Sequence, residues 1–381
     1  MNNMSPDSDL LFGFSAAPAT EKAAPKPDHL LYDEVTEDCH LAWNLGFEGA
    51  WMLEHHGSNY FPTPSPLLFL ARIAGELPEM SLGTCVLVLP WYHPLRLAGE
   101  LSMLNTLTRG TLRIGLGRGT AKMEYDAFGL DMNKARARFA EGLKVIQLAL
   151  AGGKFTFEGE HFRIPRPIEL RPRPTGKKIE LYGAIGSPPS AGIMGDLGIP
   201  PLFTTGFPEG LAQKMLETWR TRMAASGGDP AVMLPIVGQL LIADTDEEAY
   251  ALGRKYLPYF FQVQRDHYEI DLDPWAQIEE YKDFSRIMGN FKRWSSEPET
   301  LNEYMQAPGR LIGSPESVAR KLERYVQMGF RYITLQTNNP GMPKSLQRES
   351  LTRFAREIGP RFSSRFAKAA APRRADADAT S

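Results

Sequence analysis

The 381-residue sequence is poor in cysteine and has no excess of charge of either sign. Its two cysteines, Cys39 and Cys85, are too few for a disulfide framework or a cysteine-based zinc site. We therefore expect a reducing, cytoplasmic location. The 43 Lys and Arg residues nearly balance the 45 Asp and Glu residues, so the net charge is only −2. This balance predicts neither nucleic acid nor an anionic membrane as a partner.

Long apolar runs are also missing. No segment approaches the roughly 20 apolar residues that a transmembrane helix needs. The N-terminal sequence MNNMSPDSDLLFGFSAAPAT lacks the basic and apolar regions of a secretory signal. A hydrophobic content of 43% still supplies enough apolar material for a large core. We expect disorder only at the ends, in residues 1–9 and 366–381, with one domain over residues 10–365.

Short apolar runs alternate with helical patterns along that domain. About eight strand-and-helix units predict an α/β fold with a parallel sheet, and specifically a (β/α)8 TIM barrel with insertions. A doubly wound open sheet is the alternative, although no G-x-G-x-x-G motif follows the first strand. A hairpin is expected over Lys154–Pro165. The predicted strands are Leu10–Phe14, Gly49–Leu53, Leu82–Leu89, Leu112–Leu116, Ile179–Gly183, Pro201–Thr205, Ile236–Ala243 and Tyr332–Thr337.

Aromatic residues are concentrated between the seventh and eighth predicted strands. The stretch Tyr256–Trp294 holds ten of them, far above the chain average of 10%. A short loop would suffice there, so an insertion over about residues 256–312 predicts a lid over an apolar substrate. The alternative is a helical excursion that buries the aromatic residues in a small core of its own.

Titratable residues are densest after the second predicted strand, in Glu54-His55-His56. Neighbouring strand residues point to opposite faces, which argues against a shared metal ion, and we predict no metal site. One histidine facing the barrel mouth as an acid, base or hydrogen-bond donor is the functional interpretation. A capping or packed histidine is the structural one.

Two glycine-rich loops follow later strands and suit an anion. In Gly115–Thr120 (GLGRGT), Arg118 lies between glycines and could pair with a phosphate, although a tight turn with a surface arginine has the same pattern. In Gly183–Gly192 (GAIGSPPSAG), Ser187 and Ser190 stand where a helix should begin. Such serines either bind an anion or simply cap the helix.

Together these segments resemble the bacterial luciferase-like flavin monooxygenase family. The resemblance is carried by LGFEGAWMLEHH, SLGTCVLVLPWYHPLRLAGE, GTLRIGLGRG, EYDAFGLDMNKARARFAEG and LIGSPESVARKLERYVQMGF. It implies a (β/α)8 barrel, a homodimer, and reduced FMN supplied by a separate NAD(P)H-dependent flavin reductase. The implied reaction uses molecular oxygen to oxygenate an apolar or carbonyl-containing small molecule through a flavin C(4a)-(hydro)peroxide. Alternatives are a deazaflavin-dependent oxidoreductase of the same fold, a non-catalytic flavin-binding barrel and, remotely, a metal-dependent hydrolase.

The resemblance also implies roles for individual residues. His55 matches a catalytic base or proton donor, and Glu54 matches its acidic neighbour under the flavin ring. Cys85 and Val86 match a non-prolyl cis peptide bond that supports this ring. The implied cofactor-binding residues are Cys85, Val86, Arg118, Gly119, Thr120, Arg136, Gly186, Ser187 and Ser190, most of them at the phosphate.

Two positions depart from the luciferase pattern. Gly117 stands where luciferase has a reactive cysteine, and Gly186 stands where its phosphate loop has a glutamate. The resemblance therefore implies oxygenation without implying light emission.

Overall fold

The computed structural model describes residues 9–22, 25–174 and 179–370. Eight of its strands form a closed parallel barrel in the order β1-β2-β3-β4-β7-β8-β9-β11, and β11 pairs back onto β1. This confirms the predicted TIM barrel. The described strands are β1 (Leu11–Ser15), β2 (Gly49–Met52), β3 (Ser81–Val88), β4 (Leu112–Gly117), β5 (Lys154–Glu158), β6 (Arg163–Glu169), β7 (Ile179–Ala184), β8 (Pro201–Thr204), β9 (Leu234–Ile242), β10 (Leu311–Gly313) and β11 (Phe330–Gln336).

Helices surround the barrel and cover its outer face. Strand β4 is buried along its whole length, as expected for a strand with the barrel interior on one side and helices on the other. Within the described residues, no helix is long and apolar enough to cross a membrane. The helices are α1 (Asp28–Leu45), α2 (Pro66–Glu76), α3 (Pro94–Leu107), α4 (Lys122–Ala127), α5 (Ala135–Ala151), α6 (Pro188–Asp196), α7 (Glu209–Ala225), α8 (Asp246–His267), α9 (Lys282–Ser296), α10 (Pro298–Gln306), α11 (Pro315–Met328), α12 (Lys344–Arg353) and α13 (Ser364–Ala370).

Two segments interrupt the regular alternation. The predicted hairpin is formed by β5 and β6, which pair antiparallel outside the barrel. The segment from α8 to β10, which we call the insertion, lies between β9 and β11, as predicted. Strand β10 pairs in parallel with β9 as a side branch of the barrel sheet.

An ionic cluster fills the barrel interior near the N-terminal ends of the strands. Arg113 of β4 donates to both carboxylate oxygens of Glu48 at 3.0 Å, and its Nε lies 3.1 Å from Glu180 of β7. Tyr332 of β11 donates its hydroxyl to Glu48 at 2.7 Å. Buried charges are stable only when they are paired in this way.

The prediction of disorder over residues 366–381 is wrong for residues 366–370. Residues 366–370 belong to α13, and Phe366 is buried against Phe12, Phe47 and Phe354. Phe366 is the one aromatic residue that anchors this alanine-rich helix. The composition of the tail, which is dominated by alanine and charged residues, gave no sign of it. Asp9, at the other end, accepts a hydrogen bond from Ser364. The remaining predicted disordered residues, 1–8 and 371–381, lie outside the described residues.

Candidate active site

Glu54 follows β2 and joins the end of this strand to the end of β3. Its carboxylate is buried and accepts hydrogen bonds from the Val88 N–H at 2.7 Å and the Tyr92 hydroxyl at 2.8 Å. The Nε2 atom of His56 lies 3.1 Å from the same carboxylate. Burial and the charge of Glu54 raise the pKa of Tyr92, so this phenol stays protonated as a donor. Glu54 therefore anchors the C-terminal end of the barrel.

His55 and His56 lie beyond the end of β2 at Met52, and their rings contact different side chains. His56 packs edge-on against Trp91 and Phe128, with ring centroids 5.3 and 4.9 Å away. His55 packs against Tyr60, with centroids 4.6 Å apart. Burial lowers the pKa of His55 well below its usual value, so its imidazole is neutral.

Two residues that the sequence did not single out lie beside His55. Glu124 of α4 is buried and accepts from the backbone N–H of His56 at 2.6 Å. His267, the last residue of α8, places Nε2 3.8 Å from Glu124 Oε1, while His55 Nδ1 lies 3.9 Å from the same oxygen. The Nδ1 atom of His267 lies 2.7 Å from Ser58 Oγ. The scarcity of histidine, seven in the chain, was the one sequence signal for His267.

Burial sets the ionisation of this cluster. It raises the pKa of Glu124 to about 7 and lowers the pKa of His267 to about 4. His55, Glu124 and His267 are metal-ligating residue types, and their ligand atoms lie within 4.8 Å of one another. Ligand atoms around a tetrahedral ion at about 2.1 Å would lie roughly 3.4 Å apart, which is closer than any separation seen here. The ligand atoms are therefore too far apart for a formed tetrahedral site, and the separations of 3.8 and 3.9 Å also exceed a formed hydrogen bond.

The cis peptide bond that the resemblance implies is present between Cys85 and Val86. Burial raises the pKa of the Cys85 thiol to about 12, so it is not a thiolate. Gly117, at the end of the neighbouring β4, packs against the Val86 side chain. A Cβ atom at position 117 would lie 2.5 Å from Val86 Cγ2, which explains the absence of a cysteine there.

The loop after β4 is held by aromatic side chains, two of them from the insertion. Tyr125 donates to the Arg118 carbonyl, Tyr281 to the Gly119 carbonyl at 2.9 Å, and Trp275 to the Thr120 carbonyl at 2.7 Å.

A ring contact and a positive φ angle further define the conformation of this loop. The Arg118 guanidinium lies over the Tyr281 ring, 4.9 Å from its centroid. Gly119 has a φ of 74°, which a side chain would strain. The insertion thus fixes the conformation of the loop that carries Arg118.

Ser187 and Ser190 form a capping box at the start of α6. The Ser187 side chain accepts from the Ser190 N–H, and the Ser190 hydroxyl accepts from the N–H groups of Gly186 and Ser187 at 3.1 and 3.0 Å. Capping, the structural alternative, is therefore observed, and their contact with a phosphate stays a prediction. Gly186 borders open space, where a Cβ atom would meet nothing within 4 Å.

Strand order places the predicted phosphate loops side by side. Strand β7 pairs with β4, with Gly183 opposite Leu116. The loops containing Arg118 and Ser187 therefore leave adjacent strands at the same end of the barrel. Arg136 lies half-buried in the first turn of α5. The end of β3 adjoins the loop that contains Arg118, because Val86 contacts Gly117 at the end of β4.

The aromatic residues that the structure describes in the insertion pack mainly into hydrophobic cores. Phe260 and Phe261 are buried in a cluster with Tyr60 and Phe61, which follow β2. Trp275 and Tyr281 are buried in another cluster with residues of α4 and α5. The insertion therefore builds cores of its own, as the structural alternative expected, and it does so on the segments that carry His55 and Arg118.

Comparison with known proteins shows the family. The sequence model of the luciferase-like monooxygenase family matches residues 13–332. The oxygenase component of the flavin-dependent trigonelline monooxygenase of Acinetobacter baylyi is 26% identical over 352 residues, 87% of this chain and 90% of that protein. The alkanal monooxygenase alpha chain of Photorhabdus luminescens is 30% identical over 129 residues, 34% of each chain. That match covers about a third of the relative's length.

Solved structures share the fold over nearly the whole chain. The monooxygenase RslO1 of Streptomyces bottropensis has a TM-score of 0.77 at 24% identity, covering 93% of this chain and 100% of that one. The FMN complex of the oxygenating constituent of 3,6-diketocamphane monooxygenase from Pseudomonas putida has a TM-score of 0.72 at 18% identity, covering 93% and 99%. An F420-dependent secondary alcohol dehydrogenase has a TM-score of 0.69 at 14% identity, covering 91% and 98%. The family match over residues 13–332 agrees with the barrel and with the arrangement at its C-terminal end. This chain belongs to the luciferase-like monooxygenases.

Proposed function

We propose that this protein is the oxygenase of a two-component system that uses reduced FMN and molecular oxygen. Its substrate is an apolar or carbonyl-containing small molecule. The observation that carries the proposal is the grouping at one barrel end of a neutral, half-buried His55 and the loop that carries Arg118, with Gly117 packed on Val86 between them. The oxygenase component of the trigonelline monooxygenase, aligned over most of both chains, supports a separate NAD(P)H-dependent flavin reductase as partner.

The residues present fit a flavin mononucleotide. Arg118 and Arg136 supply positive charge, and the N-terminus of α6 supplies the partial positive charge that favours a phosphate. The open space beside Gly186 leaves room for that group. Reduced FMN, when bound, supplies the electrons that activate oxygen.

His55 is the residue that we expect to move a proton. Its Nδ1 atom faces Glu124, which leaves Nε2 as the nitrogen available to the reacting groups. A neutral imidazole can accept a proton there, and its partial burial limits the water that would compete. In this proposal Glu54 orders the strand ends that would hold the flavin, and the insertion acts as the lid.

Binding and oxygen incorporation test the cofactor. The protein is titrated anaerobically with reduced FMN and, separately, with a reduced deazaflavin coenzyme. It is then mixed with ¹⁸O₂ and with trigonelline or an alkanal, the compounds named for two relatives. We expect saturable binding of reduced FMN and ¹⁸O in a product. Exclusive binding of the deazaflavin without ¹⁸O incorporation would assign the protein to hydride transfer instead.

Replacing His55 tests the catalytic assignment. We expect His55→Ala to slow product formation by about 10²–10⁴-fold, because general acid–base catalysis contributes about that much. The Kd for reduced FMN should stay within about twofold of the wild type. His40→Ala is the matched control, because His40 pairs with Glu76 on the surface. Unchanged turnover in His55→Ala would remove His55 from the mechanism.

The homodimer is proposed to form through α2 and α3. These helices pack side by side and expose Leu68, Met103 and Leu107, whose relative exposures are 75%, 55% and 48%. Such apolar exposure on adjacent helices is typical of a subunit interface. Sedimentation velocity should show a dimer that Met103→Glu converts to monomer. Leu272→Glu, at an exposed leucine of the insertion, should leave the dimer intact.

A further inference from the structure

The insertion contributes a buried titratable side chain that the mechanism above does not use. His267 is 1% exposed, and its ring centroid lies 4.8 Å from that of His55. Its Nε2 atom is buried and has no hydrogen-bond partner among the described residues. The same is true of His55 Nδ1. Both nitrogens lie within 4 Å of one oxygen, Glu124 Oε1, and buried polar atoms without partners are rare.

The neighbours of His267 determine which of its nitrogens carries the proton. Ser58 Oγ accepts from the Tyr60 N–H at 3.2 Å, so its own hydroxyl proton can be donated to His267 Nδ1 at 2.7 Å. We therefore assign the single proton of the neutral imidazole to Nε2. Burial keeps the pKa of His267 near 4, so this tautomer persists at neutral pH. The Nε2–H group faces the Glu124 carboxylate.

We propose that His267 is a positioning residue whose Nε2–H donates to Glu124 and keeps Glu124 ionised, so that Glu124 fixes the tautomer of His55. An ionised Glu124 favours a proton on His55 Nδ1, which leaves the lone pair on Nε2 to act as the base. The proton taken from the reacting group would then reside on His55 Nε2, and the carboxylate would stabilise the imidazolium. A protonated Glu124 would instead donate to His55 Nδ1 and shift the histidine's own proton to Nε2, which could then no longer accept one. The assignment of His55 as the base rests on the proposed function.

The separations of 3.8 and 3.9 Å exceed a formed hydrogen bond. The two nitrogens are buried without another partner, so the proposal requires that gaps of about 1 Å close already in the flavin-free protein. The insertion delivers His267 from α8, so its docking couples the lid to the base.

The other groups around Glu124 set the pH range. The His56 backbone N–H favours its ionised form, whereas burial and the charge of Glu54 favour the protonated form and raise its pKa to about 7. Tyr60 and Tyr268 pack around the two histidines, and burial raises the pKa of both phenols, so they stay neutral. The His56 side chain faces Glu54. Glu124 is thus the member of the cluster that titrates near neutrality.

Two substitutions separate hydrogen bonding from packing. His267→Gln retains an N–H donor, whereas His267→Leu fills the space without one. In the flavin-free protein, the carboxylic acid C=O stretch is followed by infrared spectroscopy against pH, and Glu124→Gln identifies the Glu124 band. We expect His267→Leu to raise the Glu124 midpoint by about one pH unit, because the ionised form loses a donor. His267→Gln should stay close to the wild type.

The pH profile of product formation provides the second measurement. With His267→Leu the acid limb should move upward by the same amount, and activity should recover at high pH. Equal midpoints in the wild type and both variants would overturn the proposal, as would equal shifts in both variants, which indicate a packing role. Because the infrared titration needs no flavin or substrate, its failure is distinguishable from failure of the proposed function.

A zinc titration of the flavin-free protein addresses the metal alternative. We expect no saturable Zn²⁺ binding at this cluster by calorimetry. Saturable binding that both His267 variants and Glu124→Gln abolish would overturn the proposal and assign a metal site.

Discussion

At the residue scale, Gly117 explains a departure from the luciferase pattern. The resemblance to luciferase implies a cysteine at this position, but the space beside it is filled by the Val86 side chain. A Cβ atom would come within 2.5 Å of Val86 Cγ2. The glycine is therefore required by local packing.

Introducing the cysteine should destabilise the protein. We expect Gly117→Cys to lower the free energy of unfolding by about 1–3 kcal/mol, the range for overpacked sites. Urea denaturation measures this change. The control is Gly75→Ala in α2, where the added methyl group meets nothing within 4 Å and should be neutral or stabilising. An unchanged midpoint for Gly117→Cys would show that Val86 can move aside.

At the scale of elements, the insertion and the loop after β4 form one unit. Trp275 and Tyr281 donate to consecutive carbonyl groups of that loop, those of Thr120 and Gly119. Their rings are buried together with Tyr125 of α4 and Ala135 of α5. The position of Arg118 thus depends on a segment more than 150 residues away in the chain.

Removing the Tyr281 hydroxyl should weaken the attachment of the insertion to the loop after β4. We expect Tyr281→Phe to weaken binding of reduced FMN about fivefold, because an unpaired buried carbonyl costs about 1 kcal/mol or more. Anaerobic equilibrium titration gives the Kd. Tyr325→Phe is the control: it removes a similar phenol-to-carbonyl bond, to Gly309 at 2.7 Å, outside this loop. Equal Kd values for the wild type and Tyr281→Phe would contradict the role assigned to the insertion.

At the scale of the whole molecule, the Arg113 cluster links strands around the barrel. It joins β4, β7, β11 and the start of β2 through Glu48, Glu180 and Tyr332. Arg113 is 5% exposed, so its removal leaves the largely buried Glu48 carboxylate without its cation. Closure of the barrel therefore depends on this charge.

The loss of the buried Arg113 ion pair is compared with the loss of an exposed arginine ion pair. We expect Arg113→Met to cost about 3–5 kcal/mol of unfolding free energy, as breaking a buried ion pair does. Arg109→Met, which removes an exposed pair with Glu79, should cost less than about 1 kcal/mol. Guanidinium denaturation of both variants tests this ordering, and equal costs would contradict it.

The sequence alone determined the barrel, because its signals are local. Apolar runs of strand length, helix-start residues such as Ser314-Pro315 and helix-end glycines such as Gly329 act over a few neighbours, and the structure agrees with them. The same holds for the hairpin and for the position of the insertion. The resemblance added the cis bond at Cys85–Val86, which no propensity would predict.

Tertiary structure alone decided how the site is assembled. His267 meets Ser58 across 209 residues of sequence, and Tyr281 meets Gly119 across 162. No local pattern encodes such pairs, since they depend on how the insertion packs on the barrel. Burial is equally non-local, and it is what raises the pKa of Glu124 and lowers the pKa of His55. The sequence determined which fold would carry the chemistry, and packing decided which side chains face one another within it.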